Sequence, residues 1–185
     1  MGENGQDELV RDPGEVAGQR DKAMRRLAEA CGSGRLTLAE FSRRTRSARE
    51  AGSEAVIQSL TSDLPAAGGP VGPATSWRLK LFSGFRVRGP WQMPRNAYFV
   101  SIIGGADLDF CEARVASPEV TVTKIALIGG IHLRVPDGVN VTVSGFRLQG
   151  GTHLEPGLLT PSPGAPTIRI RGYALNGGIR ISRLG

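Results

Sequence analysis

Apolar residues follow two different periods along this chain, and the switch between them divides it. Between residues 15 and 65 the spacing is helical. Val16, Ala23, Leu27 and Cys31 fall on one face, a single apolar stripe. Gly32-Ser33-Gly34 predicts the end of that helix. Thr37-Leu38-Ala39-Glu40 reads as a capping box, in which the threonine hydroxyl and the glutamate carboxylate satisfy free amides at the next helix start. Leu38, Phe41, Thr45 and Ala48 give the second helix its inner face. Ser53 heads a third helix carrying Val56, Leu60 and Leu64, which Pro65 stops. A bundle of two or three helices of this size has a thin core unless it packs on something else.

From residue 77 onward the period becomes two. One pattern returns five times, centred on Ser83-Gly84, Gly104-Gly105, Gly129-Gly130, Gly150-Gly151 and Gly177-Gly178. A self-similar unit with alternating apolar residues predicts a β-solenoid, here a single-stranded β-helix of about five turns. The expected fold class is therefore α+β in separate domains. The predicted divisions are a disordered tail at 1–14, a helical domain at 15–65, a Pro/Gly linker at 66–76 and the solenoid at 77–185.

Counting by parity through each glycine pair places three rows of residues on the inward face. The rows are Leu81, Ile102, Leu127, Leu148, Leu175, then Phe85, Ala106, Ile131, Thr152, Ile179, then Val87, Leu108, Leu133, Leu154, Ile181. The first glycine shares that parity, where a missing side chain lets neighbouring backbone come close. Stacking the turns in sequence order makes the outward positions into ladders. One runs Arg86, Asp107, His132, His153, Arg180; the next runs Arg88, Asp109, Arg134, Glu155, Ser182 with charges alternating in sign, which helps to fix register. Asp107, His132 and His153 together resemble a zinc donor set, but three side chains spread over two rung spacings do not converge, so they read as a solvated charge ladder and no metal or cofactor is expected. A third ladder, Phe82, Ile103, Ile128, Gln149, Asn176, exposes three apolar residues in a row. Such a patch marks an interface or a surface covered by another part of the chain. Trp91 and Met93, in a Pro90–Pro94 insertion, and the Pro156–Pro166 loop are further candidates for partner contact.

Charge sharpens this picture only a little. The net charge is +6, with thirteen basic and six acidic residues after position 77, so the repeats are basic. Arg43, Arg44, Arg46 and Arg49 on the second helix are the nucleic-acid candidates, set against an ordinary solvated helix face with a Glu40–Arg44 pair. No apolar run approaches the ~20 residues of a membrane span, and the acidic N-terminus is no secretory signal. The two cysteines, Cys31 and Cys111, read as free thiols of a reducing compartment. The expected location is the cytoplasm, with peripheral contact at the inner face of the membrane left open.

Two resemblances add to the residue-level reading. The stretch Gly34-Arg35-Leu36-Thr37-Leu38-Ala39-Glu40-Phe41, with Arg44 and the closing Asp63-Leu64-Pro65, resembles the SHOCT-like domain of unknown function found in actinobacterial proteins. Of that family's acidic opening motif only Arg20 fits, within Ala17-Gly18-Gln19-Arg20-Asp21. Residues 77–185, through the glycine pairs and Ile131-His132-Leu133-Arg134-Val135-Pro136-Asp137-Gly138-Val139, resemble the C-terminal domain of the LiaF-like, cell-wall-active-antibiotic response family. That resemblance implies a non-enzymatic regulator of envelope stress, which often restrains a sensor kinase. Proteins of that type carry transmembrane helices ahead of this domain, where this chain has the helical segment.

The chain contains no phosphate-binding Gly-rich loop followed by Lys-Ser/Thr, no Gly-x-Ser-x-Gly elbow and no His-Glu-x-x-His. The expectation is a non-enzymatic interaction or scaffold protein that uses its repeats as a rigid binding or self-assembly surface, with a protein partner or itself. Nucleic-acid or anionic-surface binding is the alternative, and a β-helix enzyme the third reading.

Overall fold

The computed structural model describes residues 13–64, 75–79, 82–154 and 163–184. Three helices come first, α1 (Pro13–Gly32), α2 (Leu38–Glu50) and α3 (Glu54–Ser62). Leu27 and Cys31 on α1 are fully buried, as are Leu38 and Ala48 on α2. The capping box forms as the sequence predicts: Glu40 N–H donates to Thr37 Oγ1 at 3.1 Å, and Thr37 N–H donates to Glu40 Oε2 at 2.9 Å. On α3 the expected face is wrong by one position. Ile57 and Thr61 point inward and Val56 is exposed, and Ser53 is the N-cap residue without a side-chain cap bond.

The rest is mostly β, and among the described residues every strand pairs with its neighbours in parallel. One sheet holds β1 (Thr75–Leu79), β4 (Asn96–Ile103), β7 (Glu119–Ile128), β9 (Asn140–Ser144), β10 (Arg147–Gln149) and β12 (Thr167–Asn176). A second holds β2 (Phe85–Val87), β5 (Ala106–Asp109), β8 (Ile131–Pro136), β11 (Thr152–Leu154) and β13 (Ile179–Leu184), and β3 (Trp91–Met93) pairs β6 (Ala113–Val115) in a third. Each repeat crosses from the first sheet to the second at its pair of small residues. Both large sheets keep free edges, so no barrel closes among the described residues.

The order of the repeats differs from the order in the sequence. The first sheet runs β1-β4-β7-β12-β10 and the second β11-β13-β8-β5-β2. The last repeat is therefore inserted between the third and the fourth. Every repeat carries the same apolar pattern, so pattern alone does not rank them; strand continuity does. The fourth repeat is broken at Gly145-Phe146 into β9 and β10, both of which pair with β12. An interrupted strand suits an edge, where one row of hydrogen bonds is enough. The unbroken β12 pairs on both sides, to β7 from Thr167 to Asn176 and to β9 from Thr167 to Arg171.

The glycine pairs mark close approach along the stack. At Gly104 (φ 146°) a Cβ would lie 2.6 Å from the carbonyl carbon of Ser83 in the repeat below. Gly129 (φ 141°) meets Gly104 in the same way. The turn at each pair also resets the alternation of the strand. Ser101 is buried before the pair and Ala106 after it, so parity counted through the corner misassigns the residues just ahead of it. Ile102, Leu127, Leu148 and Leu175, expected inside, face outward and are exposed. Phe85, Ala106, Ile131 and Ile179 are buried as expected, and so are Val87, Leu108, Leu133 and Ile181. Leu81, Glu155, most of the linker and residues 156–162 lie outside the described residues.

The helices and the sheets share one core. Leu27, Cys31, Leu36, Leu38 and Phe41 belong to the same buried cluster as Phe110, Val115, Leu133 and Ile168. The joint runs through α2 and β6: Ala39 N–H donates to the Cys111 carbonyl at 2.9 Å, and Arg114 Nη1 donates to the carbonyls of Gly34 (3.2 Å) and Arg35 (2.5 Å). Arg46 reaches Asp137 at 2.7 Å, next to the end of β8. The thin core of the helical segment is thus completed by the third sheet and the end of the second. That docking leaves the outer face of the first sheet uncovered by the helices.

Candidate functional site

The outer face of the first sheet is built by the alternate residues of its strands, and register sorts them into columns. A polar column near the strand starts runs Thr75, Asn96, Thr121, Arg169, Thr142. Next comes Trp77, Tyr98, Thr123, Arg171, Ser144, where the Trp77 and Tyr98 rings stack at 4.1 Å with an interplanar angle of 9°. The following two are apolar throughout. Leu79, Val100, Ile125 and Tyr173 align with Phe146 at the far edge, and beyond them Ile102, Leu127, Leu175 and Leu148. Ile125 is 43% exposed, Leu127 51% and Leu148 72%.

Phe82, Ile103 and Ile128 stand at the corner beside these columns and are exposed, as the sequence predicts. They extend a strip that lacks charge from the first repeat to the last. Because β12 sits between β7 and β10, Tyr173 and Leu175 fill the middle of the strip and Gln149 marks its end. The larger part of this surface escaped the sequence reading, since the parity error at the glycines hid the column from Ile102 to Leu148. Of the other interface candidates, Met93 is corrected: it is fully buried, at the inward end of β3. Trp91 is half-buried, donating Nε1–H to the Asp109 carbonyl at 2.7 Å with its ring edge-on to Phe110.

On the second sheet the charge ladder runs Arg86, Asp107, His132, Arg180, His153, with Arg180 between the two histidines instead of after them. Asp107 accepts from Arg88 at 2.6 Å and lies 3.8 Å from His132 Nδ1; the Arg88 hydrogen bond is the main cause holding its carboxyl below the usual range. Asp109 lies 3.9 Å from Arg134, a loose pair. The register separates His132 from His153, and among the described residues no cluster of three or more His, Cys, Asp or Glu could hold a metal ion. These residues flank a groove of about 690 Å³ along the glycine pairs. Backbone donors along it bond between rungs, Phe85 N–H to the Gly105 carbonyl at 2.8 Å and Ile131 N–H to the Gly178 carbonyl at 2.8 Å among them.

A buried cation lies inside the stack. Lys124 sits 2% exposed on the inward face of β7, its Nζ donating to Ser101 Oγ and to the Gly104 carbonyl at 2.9 Å. Burial pushes its ammonium down to about 8. Both thiols are pushed up to about 12, chiefly by burial.

The helix arginines divide. Arg44 is committed to Asp63 (2.6 and 2.7 Å) and to the Leu60 carbonyl (3.0 Å), and Arg46 to Asp137, while Arg43 and Arg49 are exposed. Arg20 donates to the carbonyls of Ala48 (3.0 Å) and Ala51 (2.9 Å), satisfying the C-terminus of α2. Arg20, Thr37, Glu40, Arg44 and Asp63 are thus joints between and within the helices.

Residues 17–65 match the DUF1707 SHOCT-like domain, the segment those joints hold together. Across most of its length the chain is similar to the uncharacterized protein MT0994 of Mycobacterium tuberculosis (strain CDC 1551 / Oshkosh), at 34% identity over 85% of this chain and 82% of the relative. Uncharacterized protein Rv0966c of Mycobacterium tuberculosis (strain ATCC 25618 / H37Rv) matches to the same extent. The chain belongs to the family of these mycobacterial proteins. No solved structure matches it significantly. Among the described residues no helix is long and apolar enough to cross a membrane.

Proposed function

We propose that the protein is a non-enzymatic interaction module in which the repeats form a short, rigid β-solenoid and its uncovered apolar face is the binding surface. The observation that carries this reading is the uncharged strip centred on Ile125, Leu127 and Leu175. It spans every repeat, and the protein's own helices pack elsewhere. Isolated apolar residues on a surface need no explanation, but a contiguous strip does. A sheet with five parallel rungs presents that strip without reorganising, which suits docking of a second macromolecule. The resemblance of residues 77–185 to the LiaF-like domain favours a regulatory role in envelope signalling for that docking.

The test is site-specific photocrosslinking in cells. A photoreactive residue at Leu127 is expected to give discrete adducts of higher mass, and the same residue at Arg88 on the second sheet is not. No adduct at Leu127, or equal adducts at both positions, contradicts the reading.

A further inference from the structure

We propose that the occupant of this face is a second copy of the chain, packed sheet to sheet about a two-fold axis parallel to the strands and passing over β7. The inference rests on the docking reading above and names the partner.

The strip has no charge, so its partner surface must be apolar too, and the strip is itself such a surface. A two-fold axis along the strands keeps each column facing the same column and reverses the order of the rungs. The central strand β7 then lies on the axis, and Leu127 meets Leu127. The first rung faces the last, which sets Leu79 against Phe146. The second faces the fourth, and here a charged residue finds a place: Arg171, in the column beside the strip, comes over the partner's Tyr98. Tyr98 is already stacked on Trp77, an extended ring surface of the kind a guanidinium favours. Sheets pack face to face about 10 Å apart with strands nearly aligned, the arrangement this axis produces.

Five rungs spaced ~4.8 Å apart make a strip roughly 20 Å long, and two columns plus the corner make it roughly 14 Å wide. Two such strips with their half-exposed side chains bury on the order of 1,000 Å², at the low end of specific interfaces. The expected dimer is accordingly reversible and dissociates in roughly the micromolar range.

Sedimentation velocity of the full chain over a concentration series tests this. The wild type is expected to shift from monomer toward twice the monomer mass. Leu127→Arg is expected to stay monomeric with unchanged circular dichroism and melting temperature, since the side chain is half-exposed. In a Cys111→Ser background, Leu127→Cys is expected to cross-link to a dimer with a short bis-maleimide, and Arg180→Cys is not. Tyr98→Ala is expected to weaken the dimer by several-fold. A wild type that stays monomeric throughout overturns the proposal. If that monomer also floats with phosphatidylglycerol vesicles and Leu127→Arg does not, the occupant is an anionic membrane, and the docking reading stands while the dimer falls. Photocrosslinks from Leu127 to other masses only would have the same consequence.

Discussion

Gly129 donates its backbone N–H to the carbonyl of Asn176 at 2.9 Å, not to the fourth repeat that follows it in the chain. Gly177 in turn donates to Gln149 at 2.9 Å. These two bonds fix the last repeat between the third and the fourth, so the end of the chain is an interior rung. Neither sheet is complete until it is in place, and Tyr173 and Leu175 then close the apolar strip.

Truncation after Pro166 is expected to remove the rung that joins β7 to β9 and β10. It also removes Ile168 and Ile170, both fully buried. Losing two such side chains alone costs about 4 kcal/mol or more, close to the whole stability of a marginal domain, and the lost rung adds to it. The truncated chain is expected to lose cooperative thermal unfolding of its β signal. Retention of a wild-type-like transition would contradict the placement.

Substitutions at glycine separate close approach from simple flexibility. Gly129→Ala forces a side chain onto Gly104 at a φ of 141° and is expected to cost at least ~3 kcal/mol. Gly52→Ala, where a Cβ meets nothing within 4 Å, is expected to change stability by less than ~1 kcal/mol. Urea midpoints of the two variants against wild type check the contrast.

How much of this was legible beforehand follows from what each signal measures. The α1 stripe, the Thr37 capping box and the five glycine centres depend on local spacing, and the sequence carries them fully. The α3 face is shifted because Val56 and Ile57 stand side by side in a helix of only nine residues, and packing with Ala23 of α1 decides for Ile57. A parity count misplaces the column from Ile102 to Leu148 because the turn at each small-residue pair resets the alternation, at Gly177 as at Gly104. The position of the last repeat was invisible, since equivalent patterns compete for equivalent rungs and the break at Gly145 decides between them. Met93 looked exposed beside two prolines, yet β3 pairs with β6 and turns it inward.

Lys124 gives the protein a pH dependence of known sign. The unfolded chain holds its proton up to about 10.5 and the folded chain only to about 8, so between those values the unfolded state binds more protons and stability rises with pH. The gain is on the order of 2–3 kcal/mol across that window. Lys124→Met lacks the term, so it is expected to be more stable than wild type at pH 7, and the difference is expected to shrink toward pH 10.5. Cys31 and Cys111, raised to about 12, act in the opposite direction above their ordinary value of 9.0 in both proteins, and the comparison cancels them. A difference independent of pH would contradict the burial of the charge.

Thr37→Ala is expected to cost about 1 kcal/mol by removing the acceptor for Glu40 N–H. Glu40 is held below its ordinary value chiefly by the Thr37 backbone N–H, so its contribution is present above about 4.5 and fades as pH falls through the lower folded value. Denaturant midpoints at pH 7 and pH 3 are expected to show Glu40→Gln as clearly destabilising only at the higher pH.

The account depends most on the rung that the C-terminal strand occupies, because both the core and the apolar strip are completed by it. Interstrand nuclear Overhauser effects in isotope-labelled full-length protein report this directly. The prediction is contacts from the backbone of residues 125–128 to residues 173–176, and from 173–176 to 147–149. Direct contacts between 125–128 and 147–149, with 173–176 at the outside, would contradict it.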